Sequence, residues 1–261
     1  MLAQKLGLSL PTIKTVGSGG GAAYSNVYSL DFDGVDDFVN LGNNASLRPA
    51  VSGGVSLSVW CKWVDITTAT SRMFSNSSNG SAYNGLSCSK NSSGYLSMNT
   101  GDGDGFGGSD RRTLKTNAPA VSNNTWHHIV FVFTDATSSN WKIYVDGSDT
   151  ASSTSGTGGA NVYTTDNAFI GKRIMGSTTF ANGNMDEVSF WDKALSGAEV
   201  TAIYNSGVPT DLSGESNLIG YWRNGDTAGT SAYPTIQDYS SNSNDGTMTN
   251  MTSGDIVTDV P

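Results

Sequence analysis

Short runs in which apolar and polar residues alternate recur along most of the chain, punctuated by Gly, Asn, Asp and Ser. Period-two alternation bounded by such residues predicts half-buried strands joined by tight turns. Tyr28–Asn43 (YSLDFDGVDDFVNLGN) alternates through Leu30 and Phe32, turns at Asp33–Gly34 and resumes at Val35, Phe38 and Val39. Val55–Val64, Ser71–Ser75, Gly85–Lys90 and Gly94–Thr100 follow as strands. Asn124–Thr134 (NTWHHIVFVFT) is a longer apolar strand, and Trp141–Gly147 is its successor, ending in a second Asp-Gly turn. Ala168–Lys172 is a short strand. Gly183–Gly207 (GNMDEVSFWDKALSGAEVTAIYNSG) then reads as a strand followed by the one segment of helical period. Ser196 is placed as an N-cap and Glu199 completes a capping box. Val200, Ile203 and Tyr204 form an apolar stripe, which Gly207 and Pro209 end. In the strand, Asp186 shares the parity of Val188 and Phe190 and is expected to face inward. A buried carboxylate costs several kcal/mol unless it is hydrogen-bonded, paired or bound to a metal.

Strands at this density with one short helix predict an all-β fold, two antiparallel sheets packed face to face. Three stretches are expected. Residues 1–23 form an arm in which Leu2, Leu6, Leu8, Leu10 and Ile13 precede a GSGGGAA hinge, either a disordered terminus or an anchoring peptide. Residues 24–208 form the sandwich. Residues 209–261 hold the nucleus LIGYW (Leu218–Trp222) and read either as extra strands or as a small lobe.

Composition narrows the function classes. The 32 glycines and a charged fraction of only 14% suit many turns rather than helices. A net charge of −9 argues against binding nucleic acid or an anionic membrane through the bulk field, and leaves carboxylates for a divalent cation. No run has the apolar length of a signal peptide or a membrane span, so the chain is expected to stay in the cytoplasm or leave by a route other than secretion. Cys61 and Cys88 fall in predicted strands and read as two buried thiols, with a disulfide between them as the alternative. The glycine-rich GDGDGFGGSD (Gly101–Asp110) is superficially like a cation or phosphate loop, but no helix follows and the spacing fits neither.

Six blocks stand in the order seen in laminin-G-like, concanavalin A-like jelly rolls: LDFDGVDDFVNLG (Leu30–Gly42), SLSVWCKWV (Ser56–Val64), TWHHIVFVF (Thr125–Phe133), KIYVDG (Lys142–Gly147), FIGKR (Phe169–Arg173) and GNMDEVSFWDKALSGAEVTAIYN (Gly183–Asn205). The chain resembles that family over about 180 residues. The resemblance implies a two-sheet antiparallel jelly-roll sandwich with N- and C-terminal extensions, and often one structural calcium near the rim. The positions matching its motifs are Asp33, Asp36 and Asp186, hard oxygen donors of the kind calcium takes. The tail segment LIGYWRNGD…DYSSNSNDGTMTNM is similar to one that in such proteins precedes the FDG block. That arrangement and the leader MLAQKLGLSLPTIK resemble virion structural proteins of marine tailed phages.

A glycosidase of this fold needs two carboxylates flanking the scissile bond. The only glutamates are Glu187, Glu199 and Glu215, and none forms such a pair. His127 and His128 are adjacent on a strand and point to opposite faces. No enzymatic activity is therefore expected. A sugar site would draw on exposed aromatic rings; Trp60, Tyr83 and Phe106 are the candidates, with Trp63 and Trp126 assigned to the core. The function expected is a virion structural protein, a capsid decoration or fibre component assembled in the host cytoplasm. Its partners would be other virion proteins, through the arm and the tail, and cell-surface glycans. A homo-oligomer, such as a trimer, would suit fibre attachment, although no coiled-coil heptad enforces one. The alternatives are a stand-alone lectin-like module for host adhesion and, behind it, a glycoside hydrolase.

Overall fold

The computed structural model describes residues 24–50, 53–67, 69–77, 82–134, 140–158, 163, 166–175, 177–226 and 232–261. The predicted arm, Met1–Ala23, lies outside them. Two large sheets carry the fold, and every ladder between their strands is antiparallel. The first sheet, A, runs β10 (Ser148–Asp149), β9 (Lys142–Val145), β8 (His127–Phe133), β3 (Val55–Lys62), β15 (Asn182–Trp191), β1 (Ser29–Asp33) and β19 (Ile256–Val257), and β16 (Leu218–Trp222) joins β15 beside β1. The second, B, runs β11 (Ser152–Ser155), β7 (Arg111–Thr116), β6 (Leu96–Asp102), β5 (Asn84–Lys90), β4 (Ser71–Ser75), β12 (Ala168–Ile170), β2 (Phe38–Gly42), β18 (Gly246–Thr249) and β17 (Thr235–Ile236). A separate hairpin pairs β13 (Lys172–Met175) with β14 (Ser177–Phe180).

The inner faces meet in one core that includes Leu30, Phe32, Leu57, Phe74, Met98 and Phe131. Both cysteines are buried there as free thiols. The run HHIVFVF is almost continuously apolar because both sides of β8 are covered. Ile129, Phe131 and Phe133 face the core, whereas Val130 and Val132 pack outward against Trp191, Leu195, Val200 and Tyr221. The helix α1 (Gly197–Tyr204) provides part of that cover. Its capping box forms as predicted: Ser196 Oγ accepts the Glu199 N–H, and Glu199 Oε2 accepts the Ser196 N–H at 2.8 Å.

The tail is part of the sandwich, the first of its two readings. β16 pairs with β15, β18 with β2 and β19 with β1. Trp222, Ile236, Met248 and Ile256 enter the same core as Phe32. The polar DYSSNSND stretch is organised by Asp238, which accepts the N–H groups of Tyr221 and Ser240 on Oδ1 and of Asn244 on Oδ2, at 2.7–2.8 Å.

Asp186 departs from the expected parity. The register between β15 and β3 slips between Asp186 and Ser189, and Glu187, at φ +49°, is the extra residue. Such a bulge shifts the alternation by one. Met185, Val188 and Phe190 all reach the core, while Asp186 pairs with Trp60 on the outer face of sheet A. It is nonetheless fully buried, because the segment from Tyr24 and the tail strand β16 close over it.

Trp222 ties the tail to the core, so Trp222→Ala is expected to cost about 3–5 kcal/mol. Urea unfolding should show one transition moved as a whole; a separate lobe would leave the main transition in place.

Candidate functional site

On sheet B the polar positions of neighbouring strands align across the outer face. Ser87, Asn99 and Thr113 form one row, and Thr113 Oγ1 donates to Asn99 Oδ1 at 2.6 Å. The next row is Gly85, Gly101 and Arg111. Over this bare stretch the chain crosses itself: a Cβ on Gly101 would stand 2.2 Å from the Tyr83 backbone. The Gly101–Asp110 loop is held by Tyr83, whose N–H donates to Gly105 O and whose carbonyl accepts the Gly103 N–H, each at 2.7 Å. Asp110 Oδ2 accepts the Gly107 N–H at 2.6 Å. The glycines thus serve a tight loop.

Its tip carries Phe106, which is 48% exposed and meets Tyr83 edge-on, with centroids 5.3 Å apart. Arg111 lies over the Tyr83 ring at 4.8 Å and donates to its hydroxyl at 3.2 Å. Beside the pair is a cleft lined by Tyr83, Asn84, Ser87, Asn99, Arg111 and Arg173, among others. Two of the three sugar-site residues expected from the sequence therefore come together. The third does not. Trp60 points outward as its parity predicts, but Tyr204 of α1 stacks on it at 5.8 Å and only 4% of it is exposed. His128 packs against both rings, 5.0 Å from Trp60 and 5.9 Å from Tyr204, and burial lowers its pKa to about 4. Trp126, assigned to the core, is instead half-buried, and its Nε1 donates to Asp259. A larger groove of about 630 Å³ opens between β7–β11 and β9–β10, but its tryptophan, Trp141, is buried.

A second cluster sits where β15 exchanges β1 for β16. Asp186 Oδ1 accepts the Glu187 N–H at 2.8 Å. The Tyr221 hydroxyl donates to Glu187 Oε2, and Arg223 Nε stands 3.7 Å from Glu187 Oε1. Arg223 Nη2 donates to Asp226 Oδ2 at 3.0 Å and to Ser25 O at 2.9 Å. Asp226 Oδ1 accepts the N–H groups of Val27 and Tyr28 at 2.7 and 2.8 Å, which fastens the incoming segment. Asp186 Oδ2 and Asn224 Oδ1 are buried without a hydrogen-bond donor. Burial, reinforced by the charges of Glu187 and Asp226, holds the Asp186 pKa well above the usual range. Burial raises that of Glu187 to about 8, against the pull of the Tyr221 hydroxyl and Arg223.

The profile of the concanavalin A-like lectin/glucanases superfamily matches residues 33–201. The chain belongs to this superfamily. Among solved structures, a Bacteroides ovatus protein, provisionally assigned as carbohydrate-binding, has a TM-score of 0.61 at 16% identity, over 88% of this chain and 60% of its own. The chain thus spans less than two thirds of that protein. The CBM40 module of a Ruminococcus gnavus IT-sialidase, solved with α2,3-sialyllactose, reaches 0.49 at 16% identity, over 69% of this chain and all of the module. At these identities the likeness is one of fold. No curated protein matches the chain.

The calcium implied for this concanavalin A-like chain has two donor sets to draw on, and they are separate. Asp33 and Asp36 converge with Asp37, their carboxylates within 4.8 Å of one another. Asp186 does not join them: Asp33 pairs with Asn182, four residues along β15, roughly 13 Å away at strand rise. The turn trio already serves its own backbone, since Asp33 Oδ1 accepts the Val35 N–H at 2.7 Å and Asp37 Oδ2 the Asp33 N–H at 3.0 Å. The buried Asp186 Oδ2 and Asn224 Oδ1 are hard oxygen donors of the kind calcium takes, with the Asn26 side chain also facing Asp186.

In the unfolded chain Glu187 loses its proton near pH 4.5, in the fold near 8. Between these values the folded state holds more protons, so stability falls as pH rises. The thermal midpoint in chelator-treated buffer should decline across that window, and Glu187→Gln should flatten the decline.

Proposed function

We propose that the chain is a non-enzymatic glycan-binding module, displayed on a tailed-phage particle as a capsid decoration or fibre component. The observation that carries the glycan reading is the exposed Phe106 against the half-buried Tyr83, beside a polar cleft on the outer face of sheet B. Aromatic faces next to amide and hydroxyl groups suit the mixed apolar and polar surface of a sugar. The superfamily includes both lectins and glucanases. The residues lining this cleft include no carboxylate, which supports retention over cleavage. The three glutamates stand elsewhere: Glu187 is buried, Glu199 caps α1 and Glu215 lies in an exposed turn.

Display on a particle is supported by the leader, the glycine hinge and the block order of the tail. Cell-surface glycans and other virion proteins are the partners this reading requires, in a homo-oligomeric assembly. A calcium held by Asp186 and Asn224 would have a structural role, fixing the junction of β15 with the tail.

A glycan array probed with the full chain should show retention of at least one glycan class. Phe106→Ala is expected to weaken it roughly tenfold, equivalent to about 1.4 kcal/mol, while Trp60→Ala lowers stability and leaves the array pattern unchanged. Release of reducing ends from a retained glycan would refute the non-enzymatic half. Absence of the chain from purified particles would refute the display half.

A further inference from the structure

Three side chains converge at one end of β8 and β9. Ser122 stands in the exposed stretch before β8, His127 is the first residue of β8, and Asp146 follows β9. Ser122 Oγ is 3.0 Å from His127 Nε2, and His127 Nδ1 is 2.8 Å from Asp146 Oδ2. The surroundings set the tautomer of the ring. Nε2 accepts the Ser122 N–H at 3.1 Å, so it carries no proton, and the ring hydrogen sits on Nδ1, from which it is donated to Asp146. Asp146 Oδ1 accepts the His128 N–H at 2.9 Å. Burial acts to raise the Asp146 pKa, but the His127 ring and the His128 N–H outweigh it and hold the pKa below the usual carboxylate value. Hydroxyl, imidazole and carboxylate in this order are what activates a serine for acyl transfer. The exposure suits that role: Ser122 faces solvent, whereas the His127 side chain is only 12% exposed.

Local structural duties account for part of this. The Ser122 N–H on Nε2 fastens the loop to β8, and the Asp146 carboxylate fastens the turn after β9, where Asp146 sits at φ +51°. A residue of almost any type at position 122 would offer that N–H. The hydroxyl is a second donor to an acceptor already served, and the loop does not need it. Neither of the two clefts described above is lined by these three residues. No binding energy is therefore available there to orient an ester for repeated cycles. The geometry supports a single transfer to Ser122, which is compatible with a non-enzymatic module.

We propose that Ser122 is a site of self-acylation by activated esters, with His127 as its general base and Asp146 as the positioning residue. The Ser122 oxygen attacks the ester carbonyl carbon, and its proton passes to His127 Nε2. The bond from that carbon to the leaving alcohol oxygen then breaks, and His127 returns the proton to the alcohol. The products are an O-acyl serine and a free alcohol. Nothing in this step depends on a bound glycan.

The experiment treats the full chain with p-nitrophenyl acetate and follows nitrophenol release, intact mass and peptide maps. One acetyl group per chain, on Ser122, is expected, with one equivalent of nitrophenol released at the same rate. The urea-unfolded chain and Ser122→Ala should lack this phase, and His127→Gln should slow it roughly a hundredfold. Ser122→Cys supplies a second readout that does not rely on ester chemistry. Beside the imidazole its thiol should be alkylated by iodoacetamide in mildly acidic buffer faster than cysteine in a peptide of the same local sequence. Asp146→Asn in that background should remove the advantage. Acetylation of lysines without Ser122, an equal rate after unfolding, or a Ser122→Cys thiol no more reactive than the peptide overturns the proposal. Release from Ser122 that continues past one equivalent overturns the limit to a single transfer, and with it the non-enzymatic reading.

Discussion

The bulge at Glu187 is the constraint on which much of the architecture turns. Upstream of it, β15 shares an edge with β1; downstream, the same edge belongs to β16. One strand can serve two neighbours only if the ladder is interrupted between them, and an extra residue with φ +49° interrupts it. The interruption has a cost. A non-glycine residue in the left-handed region loses about 1 kcal/mol, and two carboxylates, Asp186 and Glu187, are buried. Arg223, the Tyr221 hydroxyl and the Glu187 N–H offset that cost. Asp226 then uses the same arginine to hold the incoming segment at Val27 and Tyr28. First strand, last long strand and tail are thereby joined through one polar knot.

Covering the knot uses up one side of the molecule. The outer face of sheet A lies beneath α1 and the tail, which is why Trp60, Ser58 and His128 are all buried despite pointing away from the core. On sheet B the outward side of β5 is buried too, but β6 and β7 keep partly exposed positions. The sheet's outward positions are Ser, Asn, Thr, Gly and Arg, and the chain's aromatic loop stands at their margin. The two sheets therefore differ on their outer sides: sheet A lies beneath α1 and the tail, whereas β6 and β7 of sheet B present partly exposed polar side chains.

How much of this was legible in the sequence depends on how local each signal is. A strand with one apolar face, such as Val55–Lys62, shows in its alternation even though both its faces are buried, and the Ser196–Glu199 capping box shows in four residues. Alternation cannot reveal where it slips. Asp186 keeps the parity of Val188 and Phe190 on paper, and only the pairing of β15 with β3 exposes the extra residue. Nor does parity separate outward from exposed, which is the error at Trp60. The polar β7 and β11 escaped because an edge strand such as Ser152–Ser155 has no apolar face to display. At the candidate site, Tyr83 and Phe106 were recognisable as loop aromatics. Arg111 and Arg173, 62 positions apart, come near one another because the β13–β14 hairpin packs against β4 of sheet B, a tertiary contact that no local pattern announces. The one local hint was Arg111–Arg112 following a glycine-rich loop in a chain with few charges.

The pairing of β1 with β19 has a mechanical consequence. Ser29 stands opposite Val257, and the Ser29 hydroxyl donates to Asp259 O at 2.6 Å, so the two ends of the described fold leave from one rung of one edge. Tension transmitted through both ends would act across that rung as on the slider of a zipper, breaking hydrogen bonds singly. Tension through one end alone would be borne by the polar knot beneath Tyr28. The manner in which this domain is tethered thus decides whether it yields early under drag or holds its shape.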